Sequence, residues 1–391
     1  MFSSRASWNL TPNALAAALA RRRAEGRPFD DLTESNPTRA GLALDYGETF
    51  EALASEPVTR YEPDPRGLAV ARDAVRDYYR ARGLTVDPER VVLTASTSEA
   101  YGWLFKLLCD PGDDVLVAHP SYPLFDDLAK LEGVSLRPFA LTYEGRWELD
   151  LDGLREAVTP RTRAVLLVHP NNPTGSFVDR ETLAGLVEVC RARGLCLVAD
   201  EVFGDYGWAP DPARVESFVD VRAVLTFTLS GLSKVVALPQ VKLGWIVVGG
   251  PDALRADALA RLEMIADCYL SVSAPAQHAA AGFLARREPV QAAVLARVAE
   301  NRAALRRAVG DGSRATLLAA EGGWYAVLRV PRTLTEEQWV LALLDRDDVL
   351  VHPGWFFDFD REAFLVISLL PPVAVFARAI ARVLARVACD L

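Results

Sequence analysis

The five cysteines of this 391-residue chain, Cys109, Cys190, Cys196, Cys268 and Cys389, form no CxxC pair. Their scatter argues against a zinc site and against a disulfide framework, and reads as reduced thiols in a cytoplasmic protein. Basic runs are also missing. No five consecutive Lys or Arg occur and the net charge is −9, which speaks against a nucleic-acid-binding face. There is no uninterrupted apolar run of about 18 residues and no charged-then-apolar leader, so neither a membrane span nor an export signal is expected. GxGxxG and P-loop strings, the usual marks of dinucleotide and nucleotide binding, are absent, as are internal repeats and low-complexity linkers.

The remaining composition is that of a globular protein, 51% hydrophobic and 24% charged. The length suits two domains of roughly 100–200 residues each. Residues 12–25 read as a helix with Thr11 as N-cap, proline in its first position, and Arg21-Arg22-Arg23 on its solvated face. The stretch DLTESNPTRAGL (31–42) is rich in turn residues and serves either as a connector or as a lip on the substrate side. RYEPDPRG (60–67) is a second proline-punctuated loop, followed by a helix over 68–82.

From residue 91 apolar runs alternate with helical segments. The runs are 91–94, 114–118, 164–168, 195–200, 223–229 and 243–248; helices are expected over 98–108, 122–131 and 180–193. Continuous apolar strands alternating with helices of about three turns indicate an α/β fold with a mostly parallel sheet between helices. After Pro251 the pattern becomes helical to about residue 310, and a smaller α+β part closes the chain with strands at 324–330, 349–354 and 364–370 and an amphipathic helix over 373–388. The expected division is a large domain over 45–270 and a small domain built from both chain ends, 1–44 and 271–391.

Ligands of open α/β sheets sit beyond the carboxyl ends of the strands, so the residues just after each strand matter most. Ala95-Ser96-Thr97-Ser98 opens a helix; these residues serve equally as plain caps or as a phosphate site made of backbone N–H groups and hydroxyls. Next come Tyr122 held between prolines, the turn-rich His169-Pro170-Asn171-Asn172-Pro173-Thr174-Gly175, and Asp200 closing an apolar strand. A buried carboxylate calls for a cationic partner. Lys234 comes after it in the stretch SGLSKVVALPQVKLGW (230–245), with Lys242 eight residues on. A lysine at the end of a buried strand can lose its proton and attack a carbonyl, although a lysine in a loop is commonly only a solvated charge. A phosphate nest, an aromatic plate, an amide, an acid and an amine together suit one planar, phosphorylated, cationic aromatic aldehyde, pyridoxal phosphate.

On these motifs the sequence resembles the class I/II aminotransferases among the fold-type-I pyridoxal phosphate enzymes, over nearly its whole length. The motifs are Tyr61 before a Pro/Gly turn, Ser96-Thr97-Ser98, PSYP with Tyr122, NNPTG with Asn172, ADEVF with Asp200, and SK with Lys234. The resemblance implies a Lys234 Schiff base, with Lys234 then shuttling the substrate proton. It implies Asp200 at the pyridine nitrogen, Asn172 at the ring hydroxyl, Tyr122 stacked on the ring, and Ser96, Thr97, Ser98, Ser233 and Lys242 around the phosphate. Tyr61 is expected to reach the phosphate of a neighbouring subunit, which implies a homodimer with shared active sites. An amino acid or amine would donate to a keto or aldehyde acceptor by a ping-pong mechanism. A lyase, decarboxylase or oxidase on the same cofactor, or a non-catalytic binding protein, would share the same contacts.

The sequence departs from the pattern in three places. Phe203 stands where the family usually has a tyrosine, leaving Tyr206 as a replacement only if the turn brings it back. Lys242 stands in place of an arginine and gives up the bidentate fork. Val366 occupies the usual position of the arginine that clamps the substrate carboxylate, and no arginine occurs between Arg361 and Arg378. Asn36, Thr38 and Arg39 are the candidate replacements. Trp8, Trp208, Trp324 and Trp355 would suit a bulky apolar substrate, or simply pack the core.

Overall fold

The apolar runs between residues 91 and 249 build one eight-stranded sheet. The fold is seen in a computed structural model that describes residues 1–389. In chain order the strands are β1 Asp30–Asp31, β2 Val91–Thr94, β3 Asp114–His119, β4 Ser135–Tyr143, β5 Trp147–Leu149, β6 Thr162–Val168 and β7 Cys196–Asp200. They continue with β8 Thr226–Gly231, β9 Gly244–Gly249, β10 Thr316–Leu317, β11 Tyr325–Arg329, β12 Val349–Leu350, β13 His352–Pro353 and β14 Phe364–Ser368.

The large sheet has the order β2-β9-β8-β7-β6-β3-β4-β5. The pairs β4/β3, β3/β6, β6/β7 and β7/β8 are parallel, and β9 runs antiparallel to both of its neighbours. Its strands other than the edge hairpin β4/β5 are buried nearly throughout because both of their faces are covered. In β9, Trp245 and Val247 enter one hydrophobic cluster while Ile246 and Val248 enter another on the opposite face. Each such side chain contributes about 1.5–3 kcal/mol by leaving water.

Several local expectations change. The strand expected over 223–229 begins at Thr226, because pairing starts there on both sides, opposite Leu197 and Gly249. The hairpin β4/β5 carries no continuous apolar run; Pro138 lies within β4 and much of that strand is exposed, so its pattern reads as loop. The first helix is Ala14–Ala24, and its N-cap is Asn13, whose Oδ1 accepts from Ala16 N–H at 2.8 Å. Thr11 instead donates its N–H to Asn9 Oδ1 at 3.0 Å. Arg22 does not face solvent. It is buried, donates to the Leu344 and Pro28 carbonyls and pairs with Asp348.

Chain ends meet in the smaller part. β1 pairs in parallel with β12, Asp30 opposite Val349, and Asp30 pairs with Arg378 and Arg382 of the last helix, Val373–Cys389. Its antiparallel sheet has the order β10-β11-β14-β13. The helix Ala274–Ala285 lies beyond residue 270 in sequence, yet it buries Ala276, Ala279, Ala280 and Phe283 in the same cluster as β2 and β9. The next helix, Arg287–Val309, buries Val294, Val298 and Leu305 in the smaller part's cluster instead. β3, β6, β7 and β8 end on the same side of the sheet, and this edge positions the site.

Candidate active site

β7 and β8 are parallel neighbours, so the residues at their carboxyl ends lie side by side. β7 ends at Asp200, which is 5% exposed. Its Oδ2 accepts from the Tyr101 hydroxyl at 2.6 Å and its Oδ1 from Val202 N–H at 2.9 Å. The expected cationic partner is therefore not in direct contact; a phenol and a backbone N–H take its place. Burial pushes the Asp200 carboxyl up to about 6, against the pull of both hydrogen bonds and of the Lys234 charge.

β8 runs into a single helical turn, Leu232–Val235, that carries Lys234. Burial lowers the Lys234 ammonium to about 8, opposed by the charge of Asp200. The amine lies 5.2 Å from the ring centre of Trp324 and 5.6 Å from that of Phe203. Its backbone is fixed from behind, where the Tyr206 hydroxyl donates to the Lys234 carbonyl at 2.6 Å. Tyr206 is thus committed to the backbone and does not supply the hydroxyl that Phe203 lacks.

Another part of the pocket wall suits an anion. The helix Thr97–Leu108 is capped by Ser96, whose Oγ accepts from Glu99 N–H at 3.2 Å, while Glu99 Oε2 accepts from Ala95 N–H at 2.7 Å. Ser96, Thr97 and Ser98 line the pocket together with Gly231, Ser233, Lys242 and Gly244. A Cβ on Gly244 would come within 3.1 Å of Thr94 Oγ1 and 3.2 Å of the Ser230 carbonyl, so the close approach of this wall favours glycine. Hydroxyls, a helix N-terminus and an ammonium face one space.

Of the two adjacent asparagines, only one is available. Asn171 Nδ2 donates to the Pro120 carbonyl at 3.1 Å and to Thr174 Oγ1 at 2.9 Å, which fixes the turn. Asn172 lines the pocket, and its buried Oδ1 has no partner. His169 is structural: Nδ1 accepts from Val178 N–H, so Nε2 donates to the Val215 carbonyl, and burial lowers the ring to about 4. Tyr122, Phe203 and Trp324 complete the walls of a cavity of about 230 Å³.

The structure thus brings Ser96, Thr97, Ser98, Tyr122, Asn172, Asp200, Phe203, Ser233, Lys234 and Lys242 to one pocket. Tyr61 lies elsewhere, 82% exposed beside Gln277 and Leu270. Asn36, Thr38 and Arg39 do not line the pocket. Asn36 Oδ1 is taken up by Thr38 N–H at 3.0 Å and the Thr38 hydroxyl at 2.8 Å, and Arg39 pairs with Glu34 at 3.2 Å. Ser35 is the residue of that loop that reaches the cavity. Of the four tryptophans, only Trp324 lines it; Trp8 donates to Asp127 and Trp208 to the Gly323 carbonyl. Val366 is fully buried in β14, opposite Val327 and His352. Among the described residues, no guanidinium lines the cavity, whose cations are Lys234 and Lys242.

Tyr101, Ser35, Tyr325 and the backbone hold by Tyr206 were not anticipated. Tyr101 sits one turn into a helix whose apolar face it shares with Phe105, and it packs edge-on against Phe125 of the next helix, so its pattern reads as core. Chemically, the pocket offers an anion seat, an acid that a cation would keep ionised, and an amine with a usable neutral fraction.

The chain also has relatives among known proteins. A family model described as aminotransferase class I and II matches residues 25–383. A glutamate-pyruvate aminotransferase AlaA of Escherichia coli (strain K12) is 32% identical over 257 residues, and the match spans 65% of this chain and 63% of that protein's own length. An alanine aminotransferase of Mycobacterium tuberculosis (strain H37Rv) is 28% identical over 93% of this chain and 86% of that protein. The crystal structure of an aminotransferase from Escherichia coli has a TM-score of 0.87 and 25% identity, covering 100% of this chain and 98% of that one.

Proposed function

This chain belongs to the aminotransferase class I and II family, and from that premise we propose that it is a pyridoxal 5'-phosphate-dependent aminotransferase. It moves an amino group from an amino acid or amine to a keto or aldehyde acceptor in two successive half-reactions. The observation that carries the reading is the pairing of Lys234 at about 8 with Asp200 at about 6, at the ends of adjacent strands and in one pocket.

The residues present fit the cofactor. The unpartnered Asn172 Oδ1, the glycine wall at Gly244 and the hydroxyl-lined helix N-terminus are the supporting observations. Ser96, Thr97, Ser98, Ser233 and Lys242 hold the phosphate, Lys242 as a point charge rather than a fork. Tyr122 would lie against the ring, Asn172 would bond the ring hydroxyl, and Asp200, oriented by Tyr101, would keep the ring nitrogen protonated. Phe203 offers only an apolar face. When bound, the cofactor supplies an electrophilic carbon for amines and a cationic ring that draws electron density from the substrate's α-carbon.

Lys234 then acts as a base. Its lowered ammonium leaves a neutral fraction near neutral pH, enough to take the α-proton of the donor and return it to a neighbouring atom. The Tyr206 bond keeps the Lys234 backbone still while the side chain swings. The aromatic rings of Phe203 and Trp324 flank the amine.

The protein is read as a homodimer in which Tyr61 reaches the phosphate of the other subunit, consistent with its 82% exposure. A division into a large part around the eight-stranded sheet and a small part from both chain ends belongs to the same proposal. So does a cytoplasmic location without a nucleic-acid or membrane partner; no helix among the described residues is long and apolar enough to cross a membrane.

The test is a half-reaction screen of cofactor-loaded protein with single donors, following the visible absorbance of the cofactor, with Lys234→Ala as the blank. Loss of absorbance with formation of pyridoxamine phosphate and a carbonyl product is expected. A donor that is consumed without pyridoxamine phosphate would instead indicate a lyase, decarboxylase or oxidase.

A further inference from the structure

The charge inventory of the pocket limits what it can bind. Its two cations are both occupied under the function proposed above, Lys242 by the phosphate and Lys234 by the reacting carbon. Its other walls include Tyr122, Phe125, Leu238, Trp324 and Tyr325, with the Ser35 and Tyr325 hydroxyls bonded to each other. A free carboxylate placed here would be buried without a cation.

Nearby arginines are engaged elsewhere. Arg39 pairs with Glu34 at 3.2 Å and is 75% exposed. Arg297, beneath the same loop, donates to the Ala40 carbonyl at 3.1 Å and the Leu370 carbonyl at 2.9 Å. Arg378 and Arg382 pair with Asp30. The loop around Tyr61, which a second subunit would bring, does not add free positive charge. Its Arg60 pairs with Glu56 at 2.8 Å and its Arg66 with Glu89 at 2.9 Å, and Glu62 and Asp64 lie between them in sequence.

We propose that the amino donor bears no free carboxylate on the carbon that carries its amine. The substrate class is a primary amine with an apolar body, or an amino acid whose carboxyl is masked as an ester or amide. This rests on the aminotransferase reading and narrows it. The balance is that of transamination. The donor's C–H and C–N bonds break and its carbon is oxidised to a carbonyl whose oxygen comes from water. The amino group and electron pair pass to a keto or aldehyde acceptor, whose carbonyl carbon is reduced and whose oxygen leaves as water.

The experiment uses matched pairs, 2-phenylethylamine against phenylalanine and isopentylamine against leucine, with the cofactor-loaded protein. Leaving a buried charge without its partner is costly enough that each amine should exceed its amino acid in kcat/KM by about a hundredfold or more. Equal or faster turnover of the amino acids overturns the proposal. Arg39→Gln is expected to leave both rates of each pair unchanged; a selective loss of amino-acid turnover would make Arg39 the carboxylate clamp and also overturn it. A binding arm separates the two readings. On holoprotein reduced with borohydride, so that the cofactor is held and inert, 3-phenylpropanol should bind at least about tenfold more tightly than 3-phenylpropanoate. Tighter binding of the carboxylate refutes the proposal. If no donor discharges the cofactor, the transfer reading falls, while this binding comparison still decides whether the pocket tolerates a carboxylate.

Discussion

Asp200→Asn should stabilise the cofactor-free protein at neutral pH and impair the loaded one. In the wild type the carboxyl is raised from an ordinary 3.8 to about 6, chiefly by burial. Two units correspond to about 3 kcal/mol held against the ionised folded state. The folded pKa is the higher one, so the folded protein binds the proton more tightly. The stability this contributes is fully present below about pH 4, is lost as pH rises towards 6, and is gone above it. Asparagine has no such charge. It also keeps one acceptor for Val202 N–H, and the Tyr101 hydroxyl can turn to accept from its NH2. Allowing about 1 kcal/mol for the weaker hydrogen bonds, a gain of about 2 kcal/mol remains at pH 8. At pH 5 the gap should be about half as large or less. Urea denaturation of both cofactor-free proteins at the two pH values measures it. With the proposed cofactor bound the sign would reverse, because the carboxylate would then face a ring cation; removing one member of a buried pair costs about 3–5 kcal/mol, and cofactor affinity should fall accordingly. A cofactor-free Asn variant that is less stable at pH 8, or a gap independent of pH, would refute the reasoning.

Tyr101→Phe removes the 2.6 Å bond that favours ionised Asp200. A bond to a charged group is worth about 1.5–3 kcal/mol, so cofactor affinity should fall and its loss on acidification should move to higher pH, read by a cofactor titration at several pH values. Lys234, lowered to about 8 by burial, should make cofactor uptake rise with pH and level off above about 8, whereas an ordinary lysine would keep rising; stopped-flow absorbance checks this. For this cation the folded pKa is the lower one, so its cost to stability is felt below about 8 and vanishes only above its ordinary 10.5. Tyr206→Phe removes the 2.6 Å bond to the Lys234 carbonyl, which keeps the Ala237 N–H at 3.2 Å; it should cost about 0.5–1.5 kcal/mol of stability and lower kcat more than it raises KM. Tyr61→Phe, at an 82% exposed position, should leave thermal stability unchanged and weaken cofactor retention, measured by dialysis.

Much of this protein was legible in one dimension. Strands buried on both faces must be apolar throughout, so β2, β3, β6, β7 and β9 stand out as runs, and the residues just beyond the four that point the same way, β2, β3, β6 and β7, meet at one sheet edge. That geometry is why Ser96, Tyr122, Asn172, Asp200 and Lys234 could be grouped before any contact was known. The chain order also showed that Val366 stands where the resemblance expects an arginine, with no arginine between Arg361 and Arg378 to take its place. The tertiary structure decided everything that depends on direction rather than order. It separated Asn172, which faces the cavity, from Asn171, which is spent on its own turn. It gave Asp200 a phenol instead of a cation and turned Tyr206 to the Lys234 backbone. It also buried Arg22 and kept Arg39 outside. A hydrogen bond is fixed by ångströms and angles between groups that can be a hundred residues apart, as with Tyr101 and Asp200, and composition and spacing carry no record of that. The sequence determines which groups arrive at the sheet edge, and packing determines which of them are left unsatisfied and free to act.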